Sequence, residues 1–452
     1  MIEIPPKFAG GAPVNPEGRR NLAHSGSWTG ATGLAEDVRY YGKWMRDEAE
    51  RHIGHLYPKV KVTAEMAQGR DDLKGVAGKE LTVIAWLWAR TVKCPNPACG
   101  AEMPLVRSFA LSTKKGREAW VEPIVDRRAK TISFRAHRNK TNAPSGTKLK
   151  GKSRCLICGI DNVTDSILRE QASTYSISQQ LLAIVAKGSN GRVYLEPPQT
   201  DSGTLIKALE TPWLAQNLPD NARWFSPPGY GLRTYRDLFT PRQLVTLTTF
   251  SDLVATSRER VLEDARKAGM ADDGKGIDEG GIGVPAYADA VATYLAFAVD
   301  KGADYWSTIC SWHSSRELVR NTFARQAIPM VWDFAEANPL SDSAGCFSGA
   351  VDWVVSCISR SPASEPGWVK QLDATAAANR VEAPIVATDP PTTTSVTPTS
   401  PTSSTYGSVA RSEGSTRNSS ARCWFPKLRS SSPLPIVSMA VRKRRSDSLS
   451  KG

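Results

Sequence analysis

The strongest apolar signal along the chain is a run of β-branched and aromatic residues at 81–92 (LTVIAWLWARTV), which predicts a strand ending just before Cys94. Shorter strand-like runs follow at 104–111, 119–125 and 131–136, with Gly116 and the pair Asp126 and Arg127 where turns fall. Residues 37–56 predict a helix that gathers Tyr40, Trp44 and His52 or Ile53 near one face, whereas residues 1–36 are rich in Gly, Pro and Asn and show no clear period. The stretch 164–186 predicts a helix and 192–195 a short strand. Thr240 and Pro241 have the chemistry of an N-cap and a first helical position. Leu244, Leu247, Val254, Val261 and Ala265 then supply an apolar face, and Gly269 ends the helix. Pro285 opens a second helix closed by Gly302; residues 316–325 and 348–358 are further helical candidates. A short apolar run, 384–388 (PIVAT), predicts a strand that leads directly into Asp389, Pro390 and Pro391.

Cysteine spacing adds chemistry to this outline. CPNPACG (94–100) and CLICG (155–159) are two knuckle-like turns, each placing two thiolates within reach of one ion. The glycine after each second cysteine permits a tight backbone and N–H donation to sulfur. Cys94, Cys99, Cys155 and Cys158 are therefore the expected ligands of a structural Zn2+, with no open position for substrate. Cys310, Cys346, Cys357 and Cys423 lack paired spacing and read as isolated core or tail residues. His137 and His313 have no partner at an informative spacing.

The chain has 452 residues, enough for two or three domains, and carries a net charge of +13. That charge is uneven: residues 107–154 carry +11 and residues 392–452 carry +8, leaving the rest at −6. A basic segment beside a metal knuckle suggests phosphate contacts, with Lys114, Lys115, Arg127 and Arg128 as candidate DNA-binding residues; a solvated surface is the alternative. No stretch approaches the roughly 20 apolar residues of a membrane span. The start shows no basic run followed by an apolar core, so the expectation is a cytoplasmic protein with reduced thiols and no membrane partner.

Several separate segments, over residues 1–391, resemble the adenine-specific DNA methylases that contain a zinc ribbon. They are MIEIPPKFAGGAPVNP, the paired knuckles, YGLRTYRDLFTPRQL, NTFARQAIPMVWDFAEANP and VATDPP. The resemblance implies S-adenosylmethionine as methyl donor and a flipped adenine as acceptor. It also implies that Asp389 and the Pro390 carbonyl, in the Asp389, Pro390, Pro391 motif, accept the hydrogens of the exocyclic amine. The family's glycine-rich cofactor loop precedes the segment matching residues 1–16 and has no counterpart here. The GxG patterns at Gly274 and Gly276 and at Gly281 and Gly283 follow no predicted strand. Thr392 stands where the family carries an aromatic ring to stack on the base. Met1 thus matches an internal position of the family pattern, and the isolated chain is expected to be inactive.

After Pro391 the composition turns abruptly to Ser, Thr and Arg. One reading is a disordered basic tail. The favoured reading is a shifted frame after loss of one base, in which Thr392 recovers the missing Tyr and residues 403–408 become Phe-Phe-Tyr-Val-Trp-Leu. The expected fold is α+β, with a four-cysteine zinc-ribbon β module inserted in a partial Rossmann-like methyltransferase α/β domain with a helical region. Its divisions are 1–75 (methyltransferase remnant and helix), 76–165 (zinc module), 166–380 (mainly helical), 381–391 (motif strand) and 392–452 (tail). The expected function is a fragment of an N6-adenine DNA methyltransferase. A non-catalytic zinc-ribbon nucleic-acid-binding module is the alternative, and an interaction scaffold a third reading. DNA is the expected partner, together with a complementary methyltransferase fragment or a defence-system subunit.

Overall fold

The computed structural model describes residues 3–21, 28–140, 143–198, 214–324, 327–361, 363–364 and 367. The expected strand at 384–388, Asp389, Pro390, Pro391, Thr392, Cys423 and the tail lie outside the described residues. Helices α1 (Ile4–Lys7) and α2 (Pro16–Asn21) precede the long α3 (Thr32–Ile53). Then come β1 (Val60–Lys61), α4 (Ala64–Ala67), β2 (Glu80–Leu81), β3 (Val83–Lys93), β4 (Glu102–Leu105), β5 (Ala110–Ser112), β6 (Ala119–Asp126), β7 (Thr131–His137), β8 (Lys152–Ser153) and β9 (Val163–Thr164). Next are α5 (Asp165–Tyr175), β10 (Ser178–Gly188), β11 (Gly191–Leu195), α6 (Pro241–Lys267), α7 (Val284–Ala303), β12 (Ser311–His313), β13 (Leu318–Arg320), β14 (Asp333–Ala337) and α8 (Phe347–Arg360). The fold is mixed helix and strand.

Strand β3 organises the core. It is apolar along nearly its whole length and is buried on both faces, as expected for a continuous β-branched and aromatic run. On one side it pairs with β10, which pairs in turn with β11. On the other side β14 covers residues 85–89 and β4 covers residues 90–93. Every pairing in this five-stranded sheet is antiparallel, whereas a Rossmann-like sheet is mostly parallel. Strands from the expected zinc module and from the expected helical region therefore share one sheet, and residues 166–380 contribute β10 to β14 besides their helices.

Two helix expectations are corrected. Residues 164–186 form no single helix: α5 stops at Tyr175, Ser176 turns at φ +63°, and β10 begins at Ser178. Leu, Ala and Gln favour helix locally, but pairing with β3 buries Leu182 to Ala186 in the sheet, so tertiary contact overrides propensity. In the helical candidate at 316–325, the described residues 316–324 form no helix either; Leu318–Arg320 pairs with β12 across a turn in which Glu317 takes φ +55°. Glu317 is buried and accepts from the Tyr194 hydroxyl at 3.1 Å.

The helix at 241 begins as expected. Thr240 and Gln243 form a capping box and Pro241 takes the first helical position. Helices α3, α6, α7 and α8 pack as a layer of their own, with Gly42 of α3 so near Val351 of α8 that a Cβ would stand 2.6 Å from it. A buried ion pair ties this layer to the sheet. Glu336 on β14 accepts from Arg242 Nη2 at 2.5 Å, Thr240 Oγ1 at 2.6 Å and Trp88 Nε1 at 2.9 Å. The Arg242 guanidinium lies 4.0 Å from the Trp86 ring centre. Burial opposes the charge on Glu336, yet Arg242 and these donors hold its carboxyl below the usual range. Because every oxygen has a partner, removing one member leaves an uncompensated buried charge. Glu336→Gln is expected to lower unfolding stability by about 3–5 kcal/mol, whereas the double change Glu336→Leu, Arg242→Met recovers much of it. Denaturant unfolding of the two variants checks this.

Candidate metal centre

Each knuckle closes a β hairpin. The first joins β3 to β4, paired from Arg90↔Leu105 to Lys93↔Glu102. The second joins β8 to β9, paired at Lys152↔Thr164 and Ser153↔Val163. Both are pinned in the same way: Cys94 N–H donates to the Ala101 carbonyl at 2.9 Å, and Cys155 N–H to the Ile160 carbonyl at 2.8 Å. Gly100 and Gly159 sit at φ +59° and +79°, where a side chain is disfavoured. The glycines expected to tighten these turns do so.

The four sulfurs converge. Cys94 Sγ lies 3.7 Å from Cys158 Sγ, and Cys99 Sγ 3.9 Å from Cys155 Sγ. All four ligand atoms lie within 4.8 Å of one another. A tetrahedron with Zn–S near 2.3 Å requires sulfur separations of about 3.8 Å, and a disulfide requires about 2.05 Å. The distances fit the metal and exclude either disulfide. Burial pushes the Cys94 and Cys155 thiols up. At Cys158 burial acts in the same direction, but the Ile160 N–H and the neighbouring thiols outweigh it and lower the group to about 7. Three of the cysteines are buried and Cys158 is exposed, which leaves a path for an ion to enter. A soft, all-thiolate, tetrahedral set suits Zn2+, and four protein ligands leave no position for a reacting group. The site is a candidate structural metal centre.

Between the knuckles, β5, β6 and β7 form a three-stranded sheet. Its β6–β7 turn carries Arg127 and Arg128, both exposed. Asp126 shapes that turn by accepting the N–H groups of Arg128 at 2.8 Å and Ala129 at 2.9 Å. Lys130 follows in the left-handed region at φ +55°, the position such hairpin turns often require. Its Nζ donates to the Ala98 and Cys99 carbonyls, each at 2.9 Å. The arginine turn is thus latched to the first knuckle.

Lys114 and Lys115 lie in the β5–β6 connection, at the other end of the eight-residue β6, about 20 Å or more away at the usual rise per residue. The structure does not gather the four basic residues into one patch. Lys114 Nζ pairs with Oε2 of the buried Glu317 at 2.8 Å, whereas Lys115 is exposed. Sequence reasoning missed Lys130, whose role depends on a contact made across the fold. It also passed over His137, whose Nε2 lies 2.7 Å from Glu122 Oε2 and whose ring stacks on Trp120 at 4.5 Å between centres. The alternation of both strands was the available signal, since it puts Trp120, Glu122 and His137 on one face.

Cys310 and Cys346 are buried away from the cluster and Cys357 is half-buried. The residues around the GxG patterns do not fit S-adenosylmethionine. They occupy the α6–α7 connection, where Asp272, Asp273, Glu279 and Asp289 already accept the backbone N–H groups that a bound ligand would need. Among the described residues no helix is long and apolar enough to cross a membrane. In comparisons with known proteins, the chain matches no family model, no curated protein and no solved structure.

Purified chain should hold one zinc per molecule by elemental analysis, and Cys155→Ser should lose most of it, because three thiolates leave the ion open to exchange. Lys130→Gly keeps the turn conformation but removes two charge-assisted bonds of an exposed lysine, together worth about 1 kcal/mol once solvent screens them. Zinc loss to a chelator should then be about fivefold faster, with unchanged ligand identity.

Proposed function

We propose that this chain is the DNA-gripping portion of an S-adenosylmethionine-dependent, adenine-specific DNA methyltransferase, inactive by itself. A zinc-ribbon-like module, inserted in a remnant of the methyltransferase domain, holds the nucleic-acid backbone. The observation that carries the DNA-gripping part is the metal knuckle latched through Lys130 to a turn with two exposed arginines. That arrangement presents fixed positive charge to phosphates at little ordering cost. The methyltransferase part is supported by the sequence resemblance alone. In that reading Asp389 and the Pro390 carbonyl orient the adenine amine. A complementary methyltransferase fragment or defence-system subunit supplies the cofactor half.

A second reading, a non-catalytic zinc-ribbon nucleic-acid-binding module, is favoured by the poor fit of the α6–α7 connection to S-adenosylmethionine. Both readings place the protein in the cytoplasm, where the thiolates stay reduced.

Duplex binding is expected to weaken steeply with salt. The double change Arg127→Ala, Arg128→Ala should reduce the log–log slope by about 2, near 0.9 per lost phosphate contact. Affinity that ignores salt would contradict DNA binding. Assay of the purified chain with S-adenosylmethionine and adenine-containing DNA should yield no N6-methyladenine; measurable methylation would contradict the claim that it is inactive alone.

A further inference from the structure

The outward face of the β6–β7 ribbon has a chemistry that phosphate gripping does not use. Strand alternation buries Ala119, Val121, Ile132, Phe134 and Ala136 and turns Trp120, Glu122, Ile124, Ser133, Arg135 and His137 outward. Trp120 lies directly across from His137, and their rings are 20° from parallel. Trp120 Nε1 donates to Asn139 Oδ1 at 2.8 Å, which fixes the ring's edge. Ile124 is 36% exposed in the middle of the face. Beyond it, Ile124, Asp126, Arg127, Arg128, Thr131 and Ser133 border an open depression of about 800 Å³.

The carboxylates here are already engaged. Glu122 is held by His137 and sits across from Arg135, and Asp126 accepts its own turn's N–H groups. Arg127, Arg128 and Arg135 are exposed, and none forms an ion pair with a described residue. The face therefore runs from a stacked aromatic pair, past an exposed apolar side chain, to unpaired guanidinium groups, over roughly 20 Å of strand. A duplex presents phosphates but keeps its base faces stacked, so it leaves Trp120 and Ile124 without a counterpart. A single strand offers base faces and phosphates together, the combination such stacking platforms bind.

We propose that this face binds single-stranded DNA, with a base stacked on the Trp120–His137 pair and phosphates held by Arg135, Arg127 and Arg128. The proposal rests on the nucleic-acid reading given above and narrows it to unpaired bases. Nothing in it requires base-edge recognition, so binding is tolerant of sequence.

The test uses the full zinc-loaded chain and fluorescence anisotropy. The probes are a labelled single strand of about 20 nucleotides and the same strand annealed to its complement. The single strand should bind about tenfold more tightly, and Trp120→Ala should weaken it by about tenfold or more. Trp120→Phe, which keeps a stacking ring, should stay within about threefold of the unaltered chain. Arg135→Ala, a change to an exposed side chain, should weaken single-strand binding and lower its salt slope. Zinc content and melting temperature verify that each variant is folded. A folded Trp120→Ala or Arg135→Ala chain that binds like the unaltered one overturns the proposal. Salt-dependent preference for duplex overturns it while leaving the broader DNA-binding reading in place. Salt-independent or absent binding to both probes overturns the two together.

Discussion

The convergence of four sulfurs is the constraint on which the rest of the proposed binding face depends. Two hairpin turns, about 60 residues apart in sequence, meet where Cys94 faces Cys158 and Cys99 faces Cys155. Neither hairpin is long: β8 and β9 have two residues each. Hairpins that short have little stability of their own in water, so the second knuckle depends on the thiolate cluster together with the bonds that Thr147 and Lys148 make to Pro104 and Val106. The first knuckle, by contrast, grows out of β3, the most deeply buried strand of the main sheet. The cluster thereby anchors a marginal element to a rigid one.

From that anchor a short chain of contacts reaches the surface. Lys130 grips two carbonyls of the first knuckle, and the turn it ends displays Arg127 and Arg128. Charge placed by a rigid support loses less freedom on binding than charge on a mobile tail. The same ribbon that carries the arginines at its tip carries the Trp120–His137 stack at its other end. The cysteine cluster, the cation and the ring are thus linked through β6 and β7 rather than by separate loops.

Some of this is legible in the sequence, and the rest is hidden for physical reasons. Strand β3, the Thr240 cap, the helices at 241 and 284, and the cysteine quartet all follow from local chemistry: β-branched runs, capping residues and ligand spacing. The segment at 178–186 reads as helix because Leu, Ala and Gln favour one when considered alone; only pairing with β3 makes it a strand. Glu317 falls in a predicted helix for a similar reason, although its carboxylate is fixed by Lys114 and Tyr194 from distant parts of the chain. Lys114 resembles a phosphate contact because charge counting cannot see a buried partner. Lys114 is thus paired within the fold, and β6 separates it in space from Arg127 and Arg128. The Asp389 motif lies outside the described residues, so its link to a methyltransferase rests on the resemblance in sequence.

The central claim is that one tetrahedral thiolate-bound ion holds the two knuckles together. X-ray absorption at the zinc edge, recorded on the purified chain under reducing conditions, addresses it most directly. The account predicts a single shell of four sulfurs near 2.3 Å. A shell of nitrogen or oxygen, fewer than four sulfurs, or no bound zinc would contradict it.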